Sequence, residues 1–221
     1  MINVSFYNQD PCVVAKQLLG KVIRHRCKKV WLAARIIETE AYYMDEKGSH
    51  SSLGYTEKRK AMFMPPGTIY MYYARGGDSM NISVKGTGNA VLIKAGYPYM
   101  DEISGKKTLS IMQKLNPVKG SGKIRTVEKL CAGQTLLCKA LDIKVSDWDQ
   151  KQFDPDKLYI EDTGIRVTKI IQTHRLGIPE GRDHHLMYRF IDYDYARFCT
   201  SNPLTKRNFK QDRDYKLTGI S

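Results

Sequence analysis

Two carboxylates and a phenol recur at alternate positions in the segment Arg35-Ile36-Ile37-Glu38-Thr39-Glu40-Ala41-Tyr42. Side chains of a strand alternate in direction, so Glu38, Glu40 and Tyr42 share one face if this segment is extended. A carboxylate that lines a cleft is a candidate general base, able to take a proton from water. On a solvated face the same residues do no chemistry, and charged side chains are mostly exposed. A second segment, Thr68-Ile69-Tyr70-Met71-Tyr72-Tyr73, sets Tyr70 and Tyr72 on a common face, and Asn81 on the following strand can share it. Aromatic faces among basic residues suit the stacking of unpaired bases, at roughly 1–3 kcal/mol per base. A tyrosine-rich sheet core fits the same pattern, because tyrosine is a good strand former.

Charge favours a polyanionic partner. Lys and Arg number 36 against 23 Asp and Glu, a net charge of +13 over 221 residues. Such a field attracts DNA, RNA or an anionic surface. Hydrophobic residues at 42% and charged residues at 27% are ordinary for a globular chain, which excludes disorder as the main state. No apolar run approaches the roughly 20 residues of a membrane span, so no membrane partner is expected. Met1-Ile2-Asn3-Val4 carries no basic stretch followed by an apolar one, so secretion is not expected. The five cysteines form no C-x-x-C pair, and no metal or other cofactor is expected. Gly120-Ser121-Gly122-Lys123 lacks the spacing of a phosphate-binding loop, and Gly86-Thr87-Gly88 lacks the third glycine of a dinucleotide fingerprint.

The elements that would position these residues read as α+β. Asp10 caps, and Gly20 stops, a short helix with Pro11 in its first turn. Strands are expected over 21–26 and 31–43, joined by a tight hairpin at Cys27-Lys28-Lys29-Val30. A long polar loop covers 44–60. Strands over 68–73 and 79–85 flank the tip Ala74-Arg75-Gly76-Gly77-Asp78, and another strand covers 90–95. Helices dominate 98–141, and strands return over 157–161, 166–173 and 186–192. The expectation is a single domain, 1–221, with a curved antiparallel sheet, a β-hairpin insertion and peripheral helices. Residues from about 203 to 221 read as a loosely held basic tail.

In order and spacing, five blocks resemble the alkyladenine (3-methyladenine) DNA glycosylase family. They are Ile37-Glu38-Thr39-Glu40-Ala41-Tyr42, His50-Ser51, Met62-Phe63-Met64-x-Pro66-Gly67-Thr68-x-Tyr70-x-Tyr72, Met80-Asn81-Ile82-Ser83 and Val91-Leu92-Ile93-Lys94-Ala95. Leu130-Cys131-x-Gly133, Leu137-Cys138-x-Ala140-Leu141 and Tyr188-Arg189-Phe190 extend the likeness over most of the chain.

The resemblance implies a monofunctional glycosylase that flips a damaged purine out of duplex DNA and hydrolyses its N-glycosidic bond with water. The damaged purine is of the 3-methyladenine, 7-methylguanine, hypoxanthine or ethenoadenine class. Carried over by position, Glu40 is the general base and Lys94 stands beside the attacking water. Tyr42 and Tyr72 stack on the flipped base, with His50 on its other side. Asn81 discourages guanine through its 2-amino group, and the main-chain carbonyl of Ile170 helps hold the water. Arg75, with Tyr73 second, would plug the gap that the flipped base leaves. A monomer working on double-stranded DNA is implied, in the cytoplasm beside a bacterial nucleoid or in a eukaryotic nucleus.

The sequence departs from the family pattern at three places. Lys94 replaces an arginine, which keeps the charge and loses the planar fork. The hairpin tip is one residue shorter and offers Arg75 in place of a tyrosine wedge. Gly133-Gln134-Thr135-Leu136 replaces a Gly-Pro-rich helix start. The Arg75 tip and Lys94 keep open a lesion-binding protein with weakened chemistry on the same scaffold, and the basic charge alone keeps open a general nucleic-acid-binding protein.

Overall fold

A computed structural model describes residues 1–74 and 76–219. Helix α1 (Pro11–Leu18) begins where the Asp10 carboxylate accepts from the backbone N–H groups of Cys12 and Val13, and Gly20, at φ +83°, turns the chain out of it. Strands β1 (Val22–Cys27) and β2 (Val30–Tyr42) pair through a two-residue turn, with Lys28 at φ +57°. The hairpin of β3 (Ile69–Ala74) and β4 (Gly77–Ser83) pairs Ala74 with Gly77, so its strands run closer to the tip than 68–73 and 79–85. Gly77 is required there: a Cβ on it would lie 2.7 Å from the Cβ of Thr135.

Strand β5 (Ala90–Pro98) pairs with both β4 and β2. The remaining strands among the described residues are β6 (Leu158–Glu161), β7 (Lys169–Thr173), β8 (Arg189–Asp192) and β9 (Tyr215–Gly219). They complete one antiparallel nine-stranded sheet in the order β3-β4-β5-β2-β8-β7-β9, with β1 on the first half of β2 and β6 on β1. The fold is α+β. Helices α2 (Lys106–Leu115), α3 (Val127–Leu130), α4 (Gln134–Leu141) and α5 (Val145–Trp148) surround the sheet. None of the helices among the described residues is long and apolar enough to cross a membrane.

Most of the core lies between the sheet and α1, α2 and α4, where Leu18, Ile36, Met80, Ile93, Leu137 and Leu141 are buried. A smaller cluster of Ile37, Ala95, Ile171 and Ile191 is buried on another part of the sheet, under Tyr97, Tyr195 and Phe198. Two bulges decide which side chains go to which cluster. Ile36 pairs with Gly96 and Glu38 with Ala95, which leaves Ile37 extra on β2; Thr39 then pairs with Ile93, which leaves Lys94 extra on β5. Ile36 belongs to the large core and Thr39 bonds the Ala15 carbonyl on α1. Between them the bulge reverses the alternation of β2, so that Glu38 and Glu40 leave the α1 side. Bulges re-aim side chains in this way, and they recur beside active sites.

The expected loose tail holds two ordered elements, which corrects that reading for Pro203–Thr205 and Tyr215–Gly219. Tyr215–Gly219 forms β9, in register with β7 from Thr173 to Lys169, and Pro203–Thr205 is a 3-10 turn capped by Asn202. Residues 206–213 are exposed.

Candidate active site

Glu40 has no solvent-exposed surface, although it carries a carboxylate. The solvated-face reading of β2 therefore fails: the second half of that strand runs between β5 and β8. A buried carboxylate must be surrounded by donors. The Tyr42 hydroxyl donates to Oε2 at 2.7 Å, the backbone N–H of Leu176 donates to Oε1 at 3.3 Å, and Lys94 Nζ lies 3.3 Å from Oε1 and 3.5 Å from Oε2. Burial alone would raise the pKa of Glu40. The charges of Lys94 and Arg189 and the two hydrogen bonds outweigh it, and the carboxyl is held below its ordinary value. Glu40 is thus ionised although fully buried.

Glu38 is equally buried and is committed to structure. Its Oε1 accepts from Arg189 Nε at 2.6 Å and from the Thr200 hydroxyl at 2.6 Å, and its Oε2 accepts from the Thr200 N–H at 3.0 Å. These bonds tie β2 to β8 and to the turn after it. Arg189 Nη2 also donates to the Thr200 hydroxyl and the Ser201 carbonyl, each at 2.9 Å.

All three donors to Glu40 line one cleft of about 440 Å³, within the usual size of a small-ligand site. Tyr42, His50, Tyr72, Asn81 and Lys94 all line it. His50 comes from the loop after β2 and packs on Tyr72, with ring centres 4.8 Å apart; its Nδ1 lies 3.1 Å from the Tyr70 hydroxyl. His50 and Tyr72 therefore form one wall, where the expectation set His50 opposite both tyrosines. Burial, helped by Arg59 and Arg182, lowers the pKa of His50, so its imidazole is neutral at pH 7. Asn81 is nearly buried and donates through Nδ2 to the Tyr70 carbonyl at 3.3 Å.

Ile170 does not reach the cleft. It is fully buried in the large core, on β7 opposite Asp192 and Thr218. The backbone contribution to the site comes from Leu176, in the loop after β7. That loop is anchored by Arg175. Its guanidinium lies 4.5 Å from the centre of the Tyr42 ring, donates to the Ala41 carbonyl at 2.9 Å and pairs with buried Glu46. A third missed residue is Gln134, whose Nε2 donates to the Tyr72 hydroxyl at 3.2 Å and to Ser79 Oγ at 2.9 Å. Loops that follow strands commonly carry function, and that was the available signal for Arg175 and Leu176.

At the hairpin end Tyr73 is 69% exposed, in contrast to Tyr70 at 4% on the opposite face of β3. Arg75 lies outside the described residues. No three His, Cys, Asp or Glu side chains among the described residues are grouped to hold a metal ion. The cleft can therefore present an ammonium group and aromatic faces to a flat, partly cationic ligand, with the ionised Glu40 carboxylate directly behind Tyr42, Lys94 and Leu176.

Residues 5–196 match the family model described as methylpurine-DNA glycosylase. A protein of Pseudomonas aeruginosa named "Putative 3-methyladenine DNA glycosylase" is 60% identical over 215 residues, 97% of this chain and 89% of that protein. A protein of the same name from Pseudomonas syringae pv. tomato is 62% identical over 210 residues, 95% and 93% of the two chains. A more distant one, from Koribacter versatilis, is 31% identical over 190 residues, 83% and 86%.

Proposed function

The chain belongs to the methylpurine-DNA glycosylase family, which makes it a DNA-repair hydrolase of N-glycosyl bonds, and on that premise we propose its substrates and chemistry. It flips an alkylated or deaminated purine of the 3-methyladenine, 7-methylguanine, hypoxanthine or ethenoadenine class out of duplex DNA. Water activated by Glu40 then hydrolyses the glycosidic bond and initiates base excision repair. The protein acts as a monomer in the bacterial cytoplasm.

Flipping costs a few kcal/mol of unstacking, least where the base is damaged or mispaired. Tyr42, Tyr72 and His50 replace the lost stacking inside the cleft. Breaking the bond at C1′ develops positive charge on the sugar, which an ionised, desolvated carboxylate stabilises as it orients water. A methylated purine already carries positive charge and leaves readily. Hypoxanthine needs hydrogen bonds to its leaving form. Asn81 at the cleft wall supports discrimination against guanine, because a 2-amino group would crowd it.

The observation that carries this reading is the complete burial of Glu40 in its ionised form. The test is purine release from duplexes containing methylated purines or hypoxanthine, comparing wild type with Glu40→Gln. Release by the wild type alone, with lesion binding kept in the variant, supports it; equal release by both removes Glu40 from the mechanism. One observation favours a lesion-binding protein instead: Lys94 lies within 3.5 Å of both Glu40 oxygens and competes with water for them. Turnover on any purine lesion overturns that alternative.

A further inference from the structure

Base release leaves a deoxyribose whose C1′ opens to an aldehyde. Among the described residues that line the cleft there is a single primary amine, Lys94. Its position follows from the bulge on β5. Ile93 is buried in the large core and Ala95 in the smaller cluster, while Lys94 has no partner on β2 and its side chain, 11% exposed, meets the Glu40 carboxylate. A guanidinium in this position would be unreactive towards a carbonyl. An amine is the side chain that forms Schiff bases.

We propose that Lys94 condenses with the aldehyde of an abasic deoxyribose in the cleft, which gives this protein a strand-cleaving lyase activity after base removal. The proposal rests on the proposed function only for the origin of its substrate. Glu40, at 3.3 and 3.5 Å, takes the ammonium proton and frees the amine. Nζ attacks C1′, forming the N–C bond, and the carbonyl oxygen becomes a hydroxyl. Glu40 returns its proton to that hydroxyl, the C–O bond breaks, water leaves, and an iminium links the protein to the DNA. The regenerated carboxylate removes a proton from C2′, and its electron pair expels the 3′-phosphate as the C3′–O bond breaks. Water hydrolyses the remaining imine and restores Lys94. Glu40 is held ionised, so the first proton transfer is uphill.

The experiment uses a duplex with one preformed abasic site, sodium borohydride as the trap, and wild type, Lys94→Arg and Lys85→Arg. Lys85 is an exposed lysine outside the cleft. A covalent adduct is expected with wild type and Lys85→Arg, and at least about tenfold less with Lys94→Arg. Peptide mapping of the wild-type adduct should place the reduced sugar on Lys94, whatever the fold of the variant. Equal trapping by Lys94→Arg, mapping to another lysine, or no wild-type adduct overturns the proposal. A parallel duplex with hypoxanthine, without borohydride, reports base release and strand breaks separately. Base release with no strand break overturns the lyase and leaves the glycosylase reading standing. Adduct on the abasic duplex with no base release from any lesion supports Lys94 and overturns the proposed function.

Discussion

The phenol of Tyr42 donates to Glu40 at 2.7 Å from two positions along the same face of β2, so the aromatic plane and the carboxylate of the site are one unit. Replacing Tyr42 with Phe keeps the ring and deletes one donor that holds Glu40 ionised. Burial then weighs more heavily, and the pKa of Glu40 rises. A general base is lost to protonation as pH falls through its pKa, so with a raised pKa the acid limb of the kcat profile should move to higher pH. Above that limb, where Glu40 is ionised in both proteins, kcat should fall by less than about tenfold. A single-turnover pH profile on hypoxanthine DNA checks this; an unmoved acid limb would mean that Glu40 does not set it.

Tyr73 leads into the hairpin tip with its ring largely in solvent, where a base stack could receive it. Its exposure makes Tyr73→Ser nearly neutral for stability, within about 0.5 kcal/mol. Stacking against the gap beside a flipped base is worth roughly 1–3 kcal/mol, so affinity for a lesion duplex should fall about five- to hundredfold. Affinity for single-stranded DNA, which offers no gap, should change less. Running Arg75→Ser beside it distinguishes the two candidate plugs: the larger loss on the lesion duplex identifies the residue that inserts.

Alternation made one face of β2 and one face of β3 readable, and five ordered blocks tied those faces to a reaction. What alternation could not do was separate Glu38 from Glu40. Both are fully buried, and the difference comes from Arg189 and Thr200, far along the chain. The bulges at Ile37 and Lys94 were equally hidden, because a bulge is defined by the partner strand. Leu176 acts through its backbone N–H, which has no side-chain signature, and placing the backbone role on Ile170 chose a core residue of β7 over the loop beyond it. Strand β9 escaped notice because Tyr215-Lys216-Leu217-Thr218-Gly219 is an edge strand with polar residues, which reads as tail.

His25 should make stability depend on pH. It is buried between Leu141, whose carbonyl lies 2.7 Å from Nδ1, and Trp148, whose Nε1–H donates to Nε2 at 3.2 Å. A ring that accepts from Trp148 must have Nε2 bare, so the bonded state is neutral. Burial lowers its pKa in the folded protein, against smaller opposing effects from the Leu141 carbonyl, Asp142 and Asp147. The unfolded state then binds the proton more readily, and stability that is complete above the unfolded value of about 6.5 is lost as pH falls below it. His50, also lowered, adds to the same slope. Urea midpoints at pH 7.5 and 5.5 should fall for wild type. His25→Gln should be less stable at pH 7.5 but lose less on acidification; an unchanged slope would leave the effect to His50.

Arg175 couples fold to chemistry, and the two roles can be separated. Its guanidinium backs Tyr42, holds the Ala41 carbonyl and pairs with Glu46, which is 5% exposed. Burial pushes the Glu46 carboxyl up even with Arg175 beside it. Arg175→Met strands that carboxylate, and breaking a buried pair from one side costs about 3–5 kcal/mol. Adding Glu46→Leu removes the stranded charge and should restore most of the lost stability. It cannot restore the cation behind Tyr42 or the anchor beside Leu176, whose N–H supports Glu40. The double variant should therefore unfold near the wild-type urea midpoint yet release hypoxanthine about tenfold more slowly, because small misplacements of reacting groups carry large rate costs. Recovery of rate together with stability would show that Arg175 serves the fold alone.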